Sequence, residues 1–334
     1  VKNRQVVLKQ RPNGIPAPQH FEAVTADIEL TPAEGQIAVK NLYLSIDPAM
    51  RGWVSLEENY LPPVQIGEVM RSVTVGEVVA SAHPNYRTGD IVYGLFGWQK
   101  YAVTEVDPLV RKVDPELAPI STALGALGPN GLTALLVLEQ IGKVQPGQTV
   151  LISTAAGGVG SIAGQIAKLK GARCIGLTGS DEKRALCTEE FGYDIAINYK
   201  TSADLAAEIR EAAPEGIHFF FDNTSGTIAD AVYPSMAQGG RVAQVGTAAI
   251  ASWDELPMGP RRDRFILTKR LTIQGFVMLD YFALYPDALK SLAGWYQRGE
   301  LNYRESITEG LENAPLALTQ LYEGTNTGKQ LVKI

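Results

Sequence analysis

The stretch "LISTAAGGVGSIAGQIAKLKG", residues 151–171, passes from an apolar run through a burst of small residues into a helical pattern. Val150–Ile152 closes a strand, and Val159, Ile162, Ile166 and Leu169 then fall on one helical face at spacings of three and four. Between them, Ala155, Gly157 and Gly160 take the three small-residue positions of a dinucleotide fingerprint, with alanine in place of the first glycine. The first permits a tight turn, and Gly157 lets the backbone approach a pyrophosphate. Gly160, with Ala163, Gly164 and Ala167, lets the helix pack closely on a sheet. The head of such a helix offers N–H groups and a partial positive charge to an anion. Taken alone, the turn fits a strand-to-helix connection that binds nothing as well as it fits a dinucleotide site. Methyltransferases also use such turns, so the flanking chain has to decide.

From about residue 147 short apolar runs alternate with helical segments. "QTVLIS", "ARCIGLT", "YDIAINY", "IHFFFDN", "GRVAQVG" and "LTIQGF" are the strands; "DEKRALCTEEFG" and "SADLAAEIREAAP" are helices between them. Apolar strands without polar alternation fit a parallel sheet covered on both faces, and right-handed crossovers in series make it doubly wound. Up to about residue 120 the texture is different: "QIAVKNLYLSIDP", "RSVTVGEVVASAHP" and "RTGDIVYGLFGWQKYAV" are short strands punctuated by Pro and Gly. The expected class is therefore α/β, a β-rich module followed by a dinucleotide domain. The closing "LENAPLALTQLYEGTNTGKQLVKI" reads as helix, loop and strand, with the strand returning to the first module.

The end of the second strand selects the dinucleotide. An NAD site places Asp or Glu there for the ribose hydroxyls. Here "IGLTGSDEK" places Thr178, Gly179 and Ser180, small and neutral, followed by Lys183 as a point charge for a 2′-phosphate. Asp181 and Glu182 come late and read as capping the next helix. NADPH (and its oxidised form NADP+) is the expected cofactor.

The remaining composition narrows the class. A chain of 334 residues exceeds what one core usually serves, so two domains are expected. The net charge of −6 argues against nucleic acid or an anionic membrane as partner. The two cysteines, Cys174 and Cys187, form no disulfide framework, and a reducing cytoplasm fits them. No apolar run approaches the length of a signal peptide core or a membrane span. A metal alcohol dehydrogenase needs a Cys, His and carboxylate set, whereas His20, His83 and His218 stand isolated, so no metal site is expected. No serine elbow and no cysteine–histidine pair is visible either. Hydride transfer to an electron-poor carbon suits this inventory, because a conjugated carbonyl needs only hydrogen-bond donors at its oxygen.

With these segments assembled, the chain resembles the zinc-free prostaglandin reductase and curcumin reductase branch of the medium-chain dehydrogenase/reductase superfamily. The resemblance rests on "NLYLSIDPAMRGWV" (41–54), "GQIAKLKG" (164–171), "GSDEK" (179–183), "INYK" (197–200), "FFDN" (220–223), "EGLENAP" (309–315) and "GTNTGKQLVKI" (324–334), and so spans nearly the whole chain. It implies a GroES-like catalytic domain with its N-terminal part at 1–124, a Rossmann NADPH-binding domain at 125–298, and a return to the catalytic domain at 299–334. It implies NADPH-dependent reduction of the carbon–carbon double bond of an α,β-unsaturated ketone or aldehyde, and a homodimer.

By the same resemblance, Gly157, Gly158, Val159 and Gly160 hold the pyrophosphate, and Lys183 holds the 2′-phosphate with Tyr199 near it. Asn223, Gly246, Thr247 and Asn326 contact the cofactor, and Phe276, Val277 and Met278 pass the nicotinamide. Read without the family, Tyr199 ends a strand, Asn223 turns the chain and Asn326 is a loop residue. Tyr60, in "ENYLPP", aligns with a tyrosine placed near the substrate carbonyl.

Three positions depart from the family pattern. Ala49 replaces the tyrosine of "DPYMR", Pro129-Asn130 replaces a methionine-proline pair, and "GTAAIASWDELPMGP" (246–260) lacks a serine-tyrosine-asparagine run, with Trp253 nearby. A reshaped pocket, roomier near Ala49, is the expectation. The alternatives to an enone reductase are a quinone reductase and a non-catalytic NADPH-binding redox sensor.

Overall fold

The computed structural model describes residues 1–250 and 258–334, at Ile250 the backbone alone. Trp253 lies outside the described residues. Chain contacts divide the molecule into two compact units, Val1–Gly125 with Glu305–Ile334, and Ala126–Arg304.

The first unit opens with an antiparallel pair, β1 (Lys2–Leu8) and β2 (Phe21–Asp27). There follow β3 (Gln36–Ser45), the single turn α1 (Met50–Trp53), β4 (Thr74–Ser81), β5 (Ile91–Gly94), β6 (Tyr101–Glu105) and β7 (Arg111–Lys112). Strand β3 is the hub, pairing antiparallel with both β4 and β6.

The second unit begins with α2 (Pro129–Leu136) and then alternates as read from the sequence: β8 (Thr149–Ser153), α3 (Gly160–Leu169), β9 (Arg173–Thr178), α4 (Asp181–Glu189), β10 (Ile195–Asn198) and α5 (Leu205–Ala212). After these come β11 (Ile217–Asp222), α6 (Gly226–Val232), β12 (Met236–Gln244), α7 (Asp263–Lys269), β13 (Thr272–Gly275) and α8 (Tyr285–Gln297). Among the described residues six strands form a parallel sheet in the order β10-β9-β8-β11-β12-β13. This is the doubly wound dinucleotide order, whose direction reverses between β8 and β11. Every residue of β8 is buried, and Phe219, Phe220 and Phe221 of β11 are wholly enclosed, because helices cover both faces. Each such side chain contributes about 1.5–3 kcal/mol relative to exposure.

Helix α3 follows the sequence reading except at its two ends, for Val159 lies ahead of the first helical residue and is only half-buried. Ile162, Ala163, Ile166 and Ala167 are buried, whereas Leu169 is 45% exposed in the last helical residue. The helix ends there, and Gly171, at φ +78°, turns the chain into β9.

The chain then re-enters the first unit through β14 (Glu305–Glu309), α9 (Ala314–Glu323) and β15 (Lys329–Lys333). Strand β15 pairs parallel with β14 and antiparallel with β3, so the last strand does return to the first sheet. Lys329 anchors this closure from a buried position. Its ammonium meets Asp47 Oδ1 at 2.7 Å and the Ile46 carbonyl at 2.8 Å.

Candidate functional site

The turn after β8 is tighter than its alanine suggests. Thr154 carries the left-handed backbone, at φ +52°, and Ala155 behind it is fully buried. Ala155 N donates to the Leu177 carbonyl at 2.9 Å and Gly157 N to the Thr154 carbonyl at 2.8 Å, which ties the turn to β9 and to itself. A methyl carbon at Gly160 would stand 2.2 Å from the Thr154 carbonyl oxygen, and at Gly157 3.1 Å from it. Gly160 is therefore demanded by close backbone approach, and Gly157 sits tightly against the same carbonyl. The first bonds of α3 run from Ser161 to Gly157 and from Ile162 to Val159, which leaves the N–H groups of Gly158, Val159 and Gly160 ahead of the helical ladder.

A buried tyrosine supports the turn from beneath. The Tyr193 hydroxyl donates to the Gly160 carbonyl at 2.7 Å, and its ring occupies the space that side chains at Gly164 and Gly176 would need. Burial drives this phenol well above its ordinary pKa.

The loop after β11 lies on the other side of the switch point. Asn223 N donates to Ser153 Oγ at 2.8 Å, and Asn223 Nδ2 to the Ser153 carbonyl at 2.9 Å. Asp222, fully buried, accepts from Thr224 N at 2.9 Å and Ser225 N at 2.8 Å through Oδ1, and burial raises its pKa despite these bonds. Sequence reasoning passed over this carboxylate, although its place in "FFDN" at a strand end was a signal. Ser225, at φ +61° and ψ −157°, holds a conformation that glycine usually supplies. Gly246 follows β12 and packs on the same loop: a methyl carbon there would lie 2.7 Å from the Asn223 carbonyl oxygen. Thr247 comes next, and Ala248 N reaches that carbonyl at 3.3 Å. Phe276, beyond β13, is buried, donates its N–H to the Gln244 carbonyl at 3.0 Å and stacks on Tyr281 with ring centres 5.0 Å apart. Val277 and Met278 continue from it into a 3₁₀ turn.

Lys183 lies in the first turn of α4, where Ser180 Oγ caps the helix by accepting from Lys183 N at 3.2 Å. The capping residue is thus Ser180, while the Asp181 carboxylate engages Arg184 at 3.5 Å and Asn198 at 3.3 Å. The Lys183 ammonium is held below its ordinary pKa, first by burial and then by the neighbouring Lys200. Tyr199, past the end of β10, brings its hydroxyl to within 3.0 Å of where a side-chain carbon at Gly179 would stand. Apart from Tyr193, which precedes β10, these residues sit at or just beyond the carboxyl ends of the parallel strands, where open α/β sheets bind ligands. The structure brings Asn223 together with Ser153 and Gly246, and Tyr199 together with Lys200 at Gly179, while Lys183 meets this group through the charge of Lys200.

Tyr60 and Asn326 belong to the first unit. Half of Tyr60 is exposed, yet its hydroxyl end is desolvated, which raises the phenol above its ordinary pKa. The Trp53 indole lies beside that hydroxyl without a hydrogen bond of good geometry, Asp47 adds to the rise, and Arg71 opposes it. Asn326 Nδ2 donates to the Gly328 carbonyl at 2.9 Å, and the residue lines a polar groove of about 250 Å³ with Ser306, Thr308 and Gln330. Ala49 is partly buried against the cluster containing Met50 and Trp53. In the second unit, Asn130 is buried, and its Oδ1 has no hydrogen-bond partner among the described residues.

Two of the histidines, His20 and His83, serve local turns, and His218 links β11 to the start of β8. His20, His83 and His218 each accept a backbone N–H through Nδ1, from Ala17 at 2.8 Å, Asn85 at 3.2 Å and Thr149 at 3.1 Å. Among the described residues no three His, Cys, Asp or Glu side chains gather as a metal site, and no helix is long and apolar enough to cross a membrane.

Comparison with known proteins places this architecture. Residues 4–111 match the family described as the N-terminal domain of oxidoreductase, and residues 158–294 the family described as zinc-binding dehydrogenase. The chain is 39% identical over 338 residues to the NADPH-dependent curcumin reductase of Escherichia coli (strain K12), covering 100% of this chain and 97% of that protein. It is 35% identical over 337 residues to the 2-alkenal reductase (NADP(+)-dependent) of Nicotiana tabacum, covering 100% and 98%. The crystal structure of CurA in complex with NADPH from Vibrio vulnificus matches with a TM-score of 0.94 at 38% identity, over 99% of this chain and 98% of that one.

Proposed function

The chain belongs to the zinc-free medium-chain dehydrogenase/reductase family, in its prostaglandin and curcumin reductase branch, and we propose that it is an NADPH-dependent reductase of the carbon–carbon double bond of α,β-unsaturated ketones and aldehydes. The observation that carries this reading is the combination, in one unit, of a glycine cradle with a neutral, lysine-bearing end of β9. Gly160 leaves room for nothing larger than hydrogen and Gly157 packs tightly on the same carbonyl, while Thr178, Gly179 and Ser180 stand where an NAD site would carry an acid and Lys183 follows in the first turn of α4.

The residues present fit the cofactor. Gly157, Gly158, Val159 and Gly160 would hold the pyrophosphate, Lys183 and Tyr199 the adenosine 2′-phosphate, and Asn223, Gly246, Thr247 and Asn326 the remaining polar groups. Phe276, Val277 and Met278 would pass the nicotinamide. NADPH bound there supplies the hydride that reaches the β-carbon of the enone. Tyr60 donates a hydrogen bond to the substrate carbonyl oxygen and stabilises the negative charge that develops on it. Its raised pKa keeps the phenol protonated, and so a donor, throughout the neutral range. Protonation of the α-carbon from water completes the reduction. In this reading residues 1–124 and 299–334 form the catalytic domain and 125–298 the NADPH-binding domain.

A homodimer belongs to the same proposal. Strand β13 is the edge of the parallel sheet, all four of its residues are exposed, and Leu267 beside it is 77% exposed. An unprotected edge with apolar neighbours supports pairing with a second copy. The two buried, unpaired thiols support a cytoplasmic location.

The test is turnover of a panel of enones, enals and quinones with NADPH, followed at the nicotinamide absorbance, with mass spectrometry locating the added hydrogens. A product saturated at the double bond with its carbonyl intact is expected. Reduction at the carbonyl, or turnover of quinones alone, would overturn the assignment.

A further inference from the structure

We propose that Lys200 is a second cation of the 2′-phosphate site and that, with Lys183, it sets the discrimination of NADPH from NADH; the proposal rests on the NADPH reading above. The geometry converges on Gly179. A side-chain carbon built there would stand 3.0 Å from the Tyr199 hydroxyl and 3.3 Å from Lys200 Cε. The phenol and the end of the lysine stem therefore both cross the open face of a residue that has no side chain to fill it.

Lys200 is held in place by its backbone. Its N–H donates to Asn198 Oδ1 at 3.1 Å, and Asn198 Nδ2 donates to Asp181 Oδ1 at 3.3 Å, at the start of the helix that bears Lys183. The turn after β10 is thus fastened to the head of α4. The ammonium itself is exposed and enters no ion pair among the described residues. The Asp181 carboxylate is engaged with Arg184 and Asn198.

The two lysines feel each other. After burial, Lys200 is the largest influence holding the Lys183 ammonium below its ordinary pKa, and Glu182, the weakest influence on it, does not cancel the effect. Like charges drawn together are unfavourable in the free protein. A dianionic phosphate between them relieves that repulsion, whereas the neutral ribose hydroxyl of NADH does not. The sequence places Lys200 in "INYK", where strand-end position alone gives no sign of its approach to Gly179.

Fluorescence titration of NADPH and NADH against the protein tests this, using wild type, Lys200→Gln and Lys200→Arg. Lys200→Gln is expected to raise the NADPH dissociation constant about tenfold, the effect of losing one charge-assisted contact, and to leave that for NADH unchanged. Its NADPH affinity should also decline less steeply with added salt, and Lys200→Arg should restore most of the preference. Equal losses for both nucleotides, or no loss for either, would overturn the proposal. Equal affinities for the two nucleotides in the wild-type protein would instead reject the cofactor reading itself.

Discussion

Asn223 and Ser153, 70 residues apart, are joined by two hydrogen bonds, from Asn223 N to Ser153 Oγ at 2.8 Å and from Asn223 Nδ2 to the Ser153 carbonyl at 2.9 Å. They fasten the ends of β8 and β11 where the strand order reverses. Asn223→Ala keeps the first bond and removes the second. It should lower the unfolding free energy by about 1 kcal/mol and weaken NADPH binding several-fold, read by urea denaturation and nucleotide titration. Wild-type affinity in this variant would show that the switch point holds its shape without the amide.

Gly160 offers a harsher test of the cradle. Its missing side chain would meet the Thr154 carbonyl oxygen at 2.2 Å and the Ala155 Cα at 2.9 Å, both backbone atoms that cannot swing aside. Gly160→Ala must open the turn or tilt α3. A loss of about 1–3 kcal/mol in stability and at least about tenfold in NADPH affinity is expected. A variant that binds NADPH as wild type does would mean that the turn yields without consequence.

The architecture was legible because its signals are local. Glycines demanded by backbone contact and apolar runs such as Phe219–Phe221 announce a parallel sheet and its first turn, and both stand where expected. What escaped depends on contacts between distant segments. Nothing near Lys329 names Asp47, 282 residues away, as its buried partner, and nothing in "FGYDIAINY" ties Tyr193 to the carbonyl of Gly160. Leu169 follows the helical period yet is exposed, because periodicity carries no information about where a helix stops being covered. Thr154, not the alanine after it, makes the left-handed turn, a choice between neighbours that composition does not settle.

Tyr60→Phe tests the catalytic assignment. The variant keeps the ring and loses only the hydroxyl. If that hydroxyl's bond strengthens as charge develops on the substrate oxygen, kcat should fall roughly 10- to 100-fold with little change in the NADPH dissociation constant. In the wild type, kcat should decline only at a pH above the ordinary phenol value of 10.0, because the desolvated phenol holds its proton longer. Unaltered kcat and KM in the variant would remove Tyr60 from the mechanism.

Lys183→Ala should cost NADPH about 1.5–3 kcal/mol of binding, the contribution of a charge-assisted contact, and leave NADH nearly untouched. Because the bond to Ser180 that caps α4 is donated by the backbone N–H of residue 183, it should survive, and helicity should be retained. Circular dichroism with paired titrations separates the two effects. An unchanged preference for NADPH would locate phosphate recognition elsewhere.

Cys174 and Cys187 bear on stability at high pH. Burial pushes both thiols up to about 12 from an ordinary value of 9.0, with Asp194 adding to the rise at Cys174. A group whose acid dissociation is suppressed by folding binds more protons in the native state than in the unfolded one once the pH exceeds its unfolded value. Stability then falls with rising pH. The contribution is complete below about pH 9 and is lost progressively up to about pH 12, over the range set by the two values. Tyr193, buried against the same elements and held well above its ordinary pKa, adds a loss in the same direction. The expected outcome is a melting temperature that is flat from neutral pH to about 9 and declines above it. A disulfide-exchange reagent at pH 8 should find both thiols unreactive in the native protein and reactive after unfolding. Rapid labelling of either cysteine in the folded protein would show that the interface between α3, β9 and α4 is open to solvent, and the predicted alkaline loss would not follow.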